Sequence, residues 1–362
     1  MPQTVQFVRS DLTRSRIVAA ALPALGDGEV RLAIESFSVT ANNVTYAVVG
    51  DAFGYWNFFP ANAQPMGEWG VVPMWGHAVV EASNHPGLEV GERVYGYLPM
   101  ATHLDVLPGN VTAGGFSDAA AHRLPMSPIY NQYSRLAADP EHDPAREAER
   151  MIFGPLFKTG FLIESMMRRE QWFGAEALLC TSASSKTAMS LASVARDQSP
   201  QIKRIGLTSA GNVAFVQAGG FYDEVLAYDQ VADLPQVPSV LVDFAGNAAI
   251  IHAVHSALDA QLKYSCTVGA THVGAGFGQQ NGGLPGPKPV LFFAPDHAVA
   301  AIKELGPKGF GEAVGASWVK FLREAGGAVR TDCRSGLAAA EAAFADILSG
   351  SADPAVGVIV EP

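Results

Sequence analysis

The sequence predicts an α/β protein in two parts, a β-rich portion followed by a doubly wound parallel sheet, on three observations. The first 130 residues carry short apolar runs separated by Gly and Pro turn signals, and from Met151 to about His272 strand-like and helix-like segments alternate. The chain has 362 residues, room for two ordinary domains. Composition agrees, with 48% hydrophobic residues, 16% charged residues and a net charge of −11. That balance excludes a disordered chain and disfavours a nucleic-acid or anionic-membrane partner, because an acidic surface repels phosphate. A small molecule is the expected partner.

In chain order, EVRLAIESFSVT (29–40) and HAVVEA (77–82) read as strands, and Gly26-Asp27-Gly28, Pro86-Gly87 and Pro108-Gly109-Asn110 supply turns between apolar runs. The charged, Pro-containing stretch 136–150 marks a surface excursion or domain boundary. Beyond it come a strand at Ala177–Cys180, a helix from Lys186, a strand at Ile202–Leu207, a helix over 212–220, strands at Glu224–Tyr228 and Val240–Phe244, a helix through Leu258 and a strand over 265–270. Strands separated by helices need crossovers, and a parallel sheet with covered faces is the solution. Two more helical segments (312–326 and 337–350) precede a strand-like VGVIVEP.

Cys180, Cys266 and Cys333 lie far apart without CxxC spacing, which argues against a disulfide framework and for a reducing, cytoplasmic setting. The apolar stretch Ile17–Leu25 is interrupted by Pro23 and follows Asp11, unlike a secretion leader. No run approaches the ~18–20 apolar residues of a membrane-spanning helix.

A dinucleotide site needs a first strand turning into a helix whose backbone N–H groups meet a diphosphate. Here the turn after Ala177–Cys180 is TSASSKT, without the glycines that normally allow close approach. Ser182, Ser184, Ser185 and Thr187 are small and carry hydroxyls, and Lys186 adds a positive charge at the helix start. The plainer reading is a serine N-cap with a solvated lysine. After the second strand stand Thr208, Ser209 and Asn212 rather than the acid that accepts from an adenosine ribose, a bias toward NADP(H). Lys203 and Arg204, at that strand's start, are expected to be solvated.

The segments GEVRLAIESFSVTANNVTYAVVG, PMWGHAVVEASNHPGLEVGERVYGYLP, FGPLFKTGFLIESM and VGVIVEP, which span nearly the whole chain, resemble the medium-chain dehydrogenase/reductase superfamily, in its zinc-independent quinone and enone reductase branch. SASSKTA, GLTSAGNVAF and VDFAGN resemble a divergent branch. The resemblance implies a GroES-like β-rich domain over 1–150 and 295–362 and a Rossmann-type domain over 151–294. Relatives that bind zinc have a Cys in the early active-site loop and a Glu after the His of G-H-E. This chain has Asn42-Asn43-Val44-Thr45 and Ala78, so a tetrahedral zinc site is not expected and His77 reads as a hydrogen-bonded structural histidine.

Hydride addition without zinc needs a donor near the substrate oxygen. Tyr46 is the leading candidate, supported by Asn43 and Thr45, with an inward-facing strand aromatic as its alternative. Tyr55, Trp56 and Phe59 suit a pocket for a planar hydrophobic substrate, or else a packed loop. By position in the resemblance, Thr159, Gly246, Asn247, Gly269 and Thr271 fall along the cofactor, with Lys158 and His272 as further candidates near substrate. It also implies a homodimer through the edge of the nucleotide-binding sheet. A non-redox enzyme or a ligand-binding protein on the same fold is the alternative function.

Overall fold

The computed structural model describes residues 1–61, 67–268 and 283–362. They divide into two compact units, one comprising Met1–Ile152, Thr331–Ala352 and Val356–Pro362, the other Phe153–Arg330 and Asp353–Ala355. The helix Ala294–Ala325 thus departs from the expected partition, which put 295–362 with the β-rich portion. Packing explains the difference: Ala298 and Ala301 share a core with Leu178, Cys180 and Leu191, and Phe321 packs on Phe153 and Phe157.

The first unit is built on an antiparallel sheet in which Val30–Val39 lies between Val356–Glu361 and Pro73–Ser83, and Pro73–Ser83 then pairs with Arg93–Pro99. One face of these strands, with Leu32, Phe37, Met74, Ala78, Val94 and Leu98, meets the helix Leu337–Leu348 through Ala340, Ala343 and Phe344. The other face carries Trp75, His77, Tyr95 and Tyr97, as the period-two alternation of a strand requires.

Residues 42–45, expected as a loop, lie in the helix Ala41–Val48. Thr40 starts it: its N–H donates to Asn43 Oδ1 at 2.6 Å, and Val44 and Ala47 turn into the core. Trp56 is also core rather than pocket, at 2% exposure. Its indole fills the notches left by Gly50 and Gly70, where any Cβ would overlap it.

Among the described residues the second unit holds a six-stranded sheet ordered Glu224–Ala227, Lys203–Thr208, Ala177–Cys180, Ser239–Asp243, Leu262–Thr267 and Val290–Leu291, every neighbouring pair parallel. Counted along the chain this is the order 3-2-1-4-5-6 of a doubly wound nucleotide-binding sheet, as the alternating sequence pattern predicts. Leu178, Leu179, Val240, Leu241 and Val242 are wholly buried, as expected for strands covered on both faces. Arg204 corrects the sequence reading, being 8% exposed and paired to Asp223, while Lys203 pairs with Glu224 at 2.6 Å.

Ahead of the first parallel strand, Gln171, Trp172 and Phe173 all take left-handed φ, a conformation unfavourable for side-chain-bearing residues. A buried chain holds the turn: Trp172 Nε1 donates to Ser199 Oγ at 3.0 Å, and Ser199 donates to Glu164 Oε1 at 2.8 Å. Burial raises the Glu164 pKa above its ordinary 4.5, so folding favours its protonated form. The resulting penalty is absent below about pH 4.5 and grows as the pH rises through the folded-state pKa. Glu164→Gln, which keeps the acceptor, is therefore expected to raise the melting temperature at pH 7 and leave it nearly unchanged at pH 4. Equal shifts at both values would contradict this.

Candidate functional site

In doubly wound sheets ligands bind beyond the carboxyl ends of the strands, where the strand order reverses. Here that point lies between Ala177–Cys180 and Ser239–Asp243, which are tied together. Thr181 Oγ1 donates to Asp243 Oδ1 at 2.5 Å and accepts from the Phe244 N–H at 3.0 Å, and Asp243 Oδ2 accepts from the Gly246 N–H at 2.8 Å. Neither Thr181 nor Asp243 stands out in the sequence, because the bond joins residues 62 apart.

The glycine-free turn follows directly. Ser182 has φ +46°, a conformation in which glycine costs nothing and serine is strained. Neighbours hold it there. The Ser182 N–H donates to Tyr228 Oη at 2.9 Å, the Ser185 N–H donates to the Ser182 carbonyl at 2.7 Å, and Tyr222 Oη donates to the Ala183 carbonyl at 3.2 Å. Ser185 caps the helix Lys186–Gln198 by accepting from the Ala188 N–H at 3.3 Å. Asn212 Nδ2 donates to Ser184 Oγ at 3.3 Å, which joins the ends of the first and second strands. Ser182, Ser184, Ser185 and Thr187, all half-buried, thus cluster at one helix N-terminus beside Asn212 and the exposed Ser209.

Other expected cofactor contacts have different duties. The Lys186 ammonium donates to the Pro354 carbonyl at 3.3 Å, and burial lowers its pKa to about 8 despite nearby Asp353. It is therefore not a solvated lysine. Thr208 is buried, at 1% exposure. The Thr159 hydroxyl donates to the Pro155 carbonyl within its own helix, and the Asn247 side chain caps Ala248–Leu258 by accepting from Ala249 and Ile250 N–H. Gly246 takes φ +70°. Gly269, Thr271 and His272 lie outside the described residues.

In the first unit, Tyr46 lies on a helix rather than a strand or loop and is buried among aromatic rings. Its hydroxyl oxygen accepts from Asn42 Nδ2 at 2.6 Å and from Trp75 Nε1 at 3.2 Å. Tyr55, Tyr97 and Tyr130 pack around it at ring separations of 4.6, 5.5 and 6.2 Å, and Tyr55 and Tyr130 share a hydroxyl contact of 3.1 Å. Phe59 joins through Tyr97. Burial holds the Tyr46 pKa well above 10, against the opposing pull of Trp75, Asn42 and Tyr97. A phenol so placed stays protonated at neutral pH, with donors already aimed at its oxygen.

Asn43 and Thr45, expected to support Tyr46, serve the helix instead. Asn43 Nδ2 donates to the Pro73 carbonyl at 2.8 Å, and the Thr45 hydroxyl donates to the Ala41 carbonyl at 3.3 Å. The residue that does support Tyr46 is Asn42, and the i, i+4 spacing of a helix is the signal that finds it once the helix is known.

His77 also differs from expectation. It is wholly buried, yet neither ring nitrogen has a hydrogen-bond partner. Burial lowers its pKa to about 4; Glu147 favours the imidazolium, and Arg150, Arg93 and His142 oppose it.

Among the described residues, no three His, Cys, Asp or Glu side chains group as metal ligands, and no helix is long and apolar enough to cross a membrane.

A family profile described as a protein of unknown function, DUF2855, matches residues 37–353. Among curated proteins nothing matches. Solved structures that match include CurA of Vibrio vulnificus in complex with NADPH, at TM-score 0.63 and 16% identity over 99% of this chain and 98% of that one. Mycobacterial Rv1454c complexed with NADPH matches at TM-score 0.56 and 15% identity over 100% of both chains. A putative NADPH:quinone reductase from Bacillus thuringiensis matches at TM-score 0.57 and 12% identity over 100% of this chain and 99% of that one. At such identities these matches show a shared fold.

Proposed function

The chain belongs to the DUF2855 family, and from that premise we propose that it is an NADP(H)-dependent, zinc-independent reductase of a hydrophobic enone, quinone or carbonyl compound, in the medium-chain dehydrogenase/reductase superfamily. The observation that carries this reading is the hydroxyl-lined helix start at the reversal point of a 3-2-1-4-5-6 sheet. Structures of the same fold have been solved with NADPH. Ser182, Ser184, Ser185 and Thr187 would hold the diphosphate. Ser209 and Asn212, with no carboxylate among residues 208–212, would accept a phosphorylated ribose.

When bound, the nicotinamide supplies a hydride. Tyr46 is the proposed acid. Asn42 and Trp75 fix its oxygen and stabilise the negative charge it acquires as its proton leaves for the substrate. Tyr55, Phe59, Tyr97 and Tyr130 form the apolar surround that suits a planar substrate.

A second reading, a non-redox enzyme or ligand-binding protein, draws support from two contacts: Tyr228 already occupies the Ser182 N–H, and Lys186 is turned to Pro354. Titration with NADPH, followed by the fluorescence of the five tryptophans, separates the two. The reductase reading expects saturable quenching by NADPH and weaker quenching by NADH; no saturable response to either would favour the second. Asn212→Asp, which puts a carboxylate beside the ribose phosphate, is expected to weaken NADPH about tenfold, or ~1.4 kcal/mol, with NADH unaffected. Equal losses for both would remove Asn212 from the site.

A homodimer fits the edge of the same sheet, where Val290 and Leu291 are exposed, as are Val299, Ile302 and Leu305 of the following helix. Buried thiols at Cys180 and Cys266 and a free exposed Cys333 fit a reducing cytoplasm.

A further inference from the structure

One face of the first unit's sheet carries two adjacent cross-strand rows. In one, Ser38, Trp75 and Tyr97 are neighbours; in the next, Ser36, His77, Tyr95 and Ser134. Tyr46 packs edge-on against Tyr97 at one end, and the Arg150 guanidinium lies 4.1 Å above the Tyr95 ring at the other. Three polar groups on this face are buried without a hydrogen bond inside the protein: both His77 ring nitrogens, the Tyr97 hydroxyl and Arg150 Nη1.

Buried polar atoms nearly always find partners, and those without a protein partner take a water. Among the described residues, the other wholly buried histidine shows the ordinary case. His255 Nδ1 lies 2.9 Å from the Pro285 carbonyl and Nε2 lies 2.9 Å from Ser265 Oγ, so both nitrogens are spoken for. His77 has neither. A neutral imidazole with both nitrogens open offers one N–H donor and one acceptor, the pair of functions that passes a proton through a ring without net charge. Glu147, Arg93, His142 and Arg150 are the charged or titratable groups acting on it. The His142 ring lies 2.8 Å from Glu147 Oε1 and Arg93 Nη1 donates to Glu147 at 2.7 Å, so that carboxylate is already compensated.

We propose that Tyr97 and His77 form a proton-supply path to Tyr46. This rests on the role of Tyr46 proposed above. In the reaction, hydride bonds to one substrate carbon as the C=C or C=O double bond opens, and the Tyr46 proton moves to the substrate. The Tyr46 oxygen then takes a proton from the Tyr97 hydroxyl, whose ring packs edge-on against the Tyr46 ring at 5.5 Å. Tyr97 takes one, through water, from the His77 N–H, and the other His77 nitrogen, buried from bulk solvent, takes one through a further enclosed water. One proton enters per hydride delivered. Tyr97 and His77 act through Tyr46 and so are positioning residues, needed to reset the enzyme rather than for its first turnover.

That separation supplies the test. NADPH oxidation at 340 nm is followed with 3-nonen-2-one or 1,4-naphthoquinone, in one turnover and in the steady state, in H2O and D2O. His77→Phe should keep the first-turnover rate and slow steady turnover at least tenfold with a larger solvent isotope effect, and Tyr97→Phe, which removes only the oxygen, should show the same larger isotope effect in the steady state. Added imidazole should restore His77→Phe. If either variant folds and shows an unchanged steady-state isotope effect, or if the first turnover of His77→Phe slows as much as its steady turnover, the path is wrong. If the unmodified protein oxidises NADPH with neither compound, the proposed function fails and the path with it.

Discussion

Tyr46→Phe is expected to lower turnover by about 10²–10⁴-fold while leaving NADPH affinity unchanged, because it removes the proposed proton donor and no cofactor contact. The ring should remain in place, since it is held by Tyr55, Tyr97 and Tyr130 as well as by its hydroxyl. Asn42 and Trp75 lose their acceptor, and that loss should appear as a stability change of ~1 kcal/mol. Steady-state kinetics with a parallel melting curve separates the two effects. Turnover that falls only as far as the folded fraction falls would make Tyr46 a core tyrosine.

Trp56→Ala is expected to destabilise the first unit by ~3–5 kcal/mol, the usual penalty for deleting a large aromatic from a packed core. The magnitude follows from its surroundings. Trp56 is 2% exposed within a cluster that includes Phe7, Val44 and Ala47, and two glycines are shaped around its indole, so the site cannot collapse to fill the void. Arg9 also lies 5.7 Å from the ring and would lose that contact. Urea unfolding monitored by circular dichroism measures the loss. A change under 1 kcal/mol would return Trp56 to the pocket suggested by its aromatic neighbours in sequence.

Much of the second unit was legible because its determinants are local. Apolar runs such as Leu178–Leu179 and Val240–Val242, set between helical segments, specify covered parallel strands, and the strands from Ala177 to Asp243 fall within one or two residues of their expected positions. The helix 41–48 was hidden because two asparagines favour turns. What starts it is the bond between Thr40 and Asn43, and what stabilises it is burial of Val44 and Ala47.

The site was only half legible, for a related reason. Tyr46, Tyr55 and Phe59 belong to one short stretch and could be named. Trp75, Tyr97 and Tyr130 reach Tyr46 through sheet pairing and a distant turn, and no spacing announces them. Likewise the hydroxyls at 182–187 were visible, but the tyrosine that holds Ser182 in a left-handed conformation comes from 46 residues downstream. Arg204 misled because a charge in a linear reading defaults to solvent, whereas Asp223 draws it inward; Lys186, expected at a phosphate because it opens a helix, has its ammonium on the distant Pro354 carbonyl.

The central claim is that serine and threonine side chains at a helix start do the work of absent glycines. A crystal soaked with NADPH tests it directly. The expected density has the diphosphate against Ser182, Ser184, Ser185 and Thr187, with Tyr228 displaced from the Ser182 N–H and the ribose phosphate near Ser209 and Asn212. A saturating soak that leaves this turn empty, with the Tyr228 contact intact, would contradict the assignment.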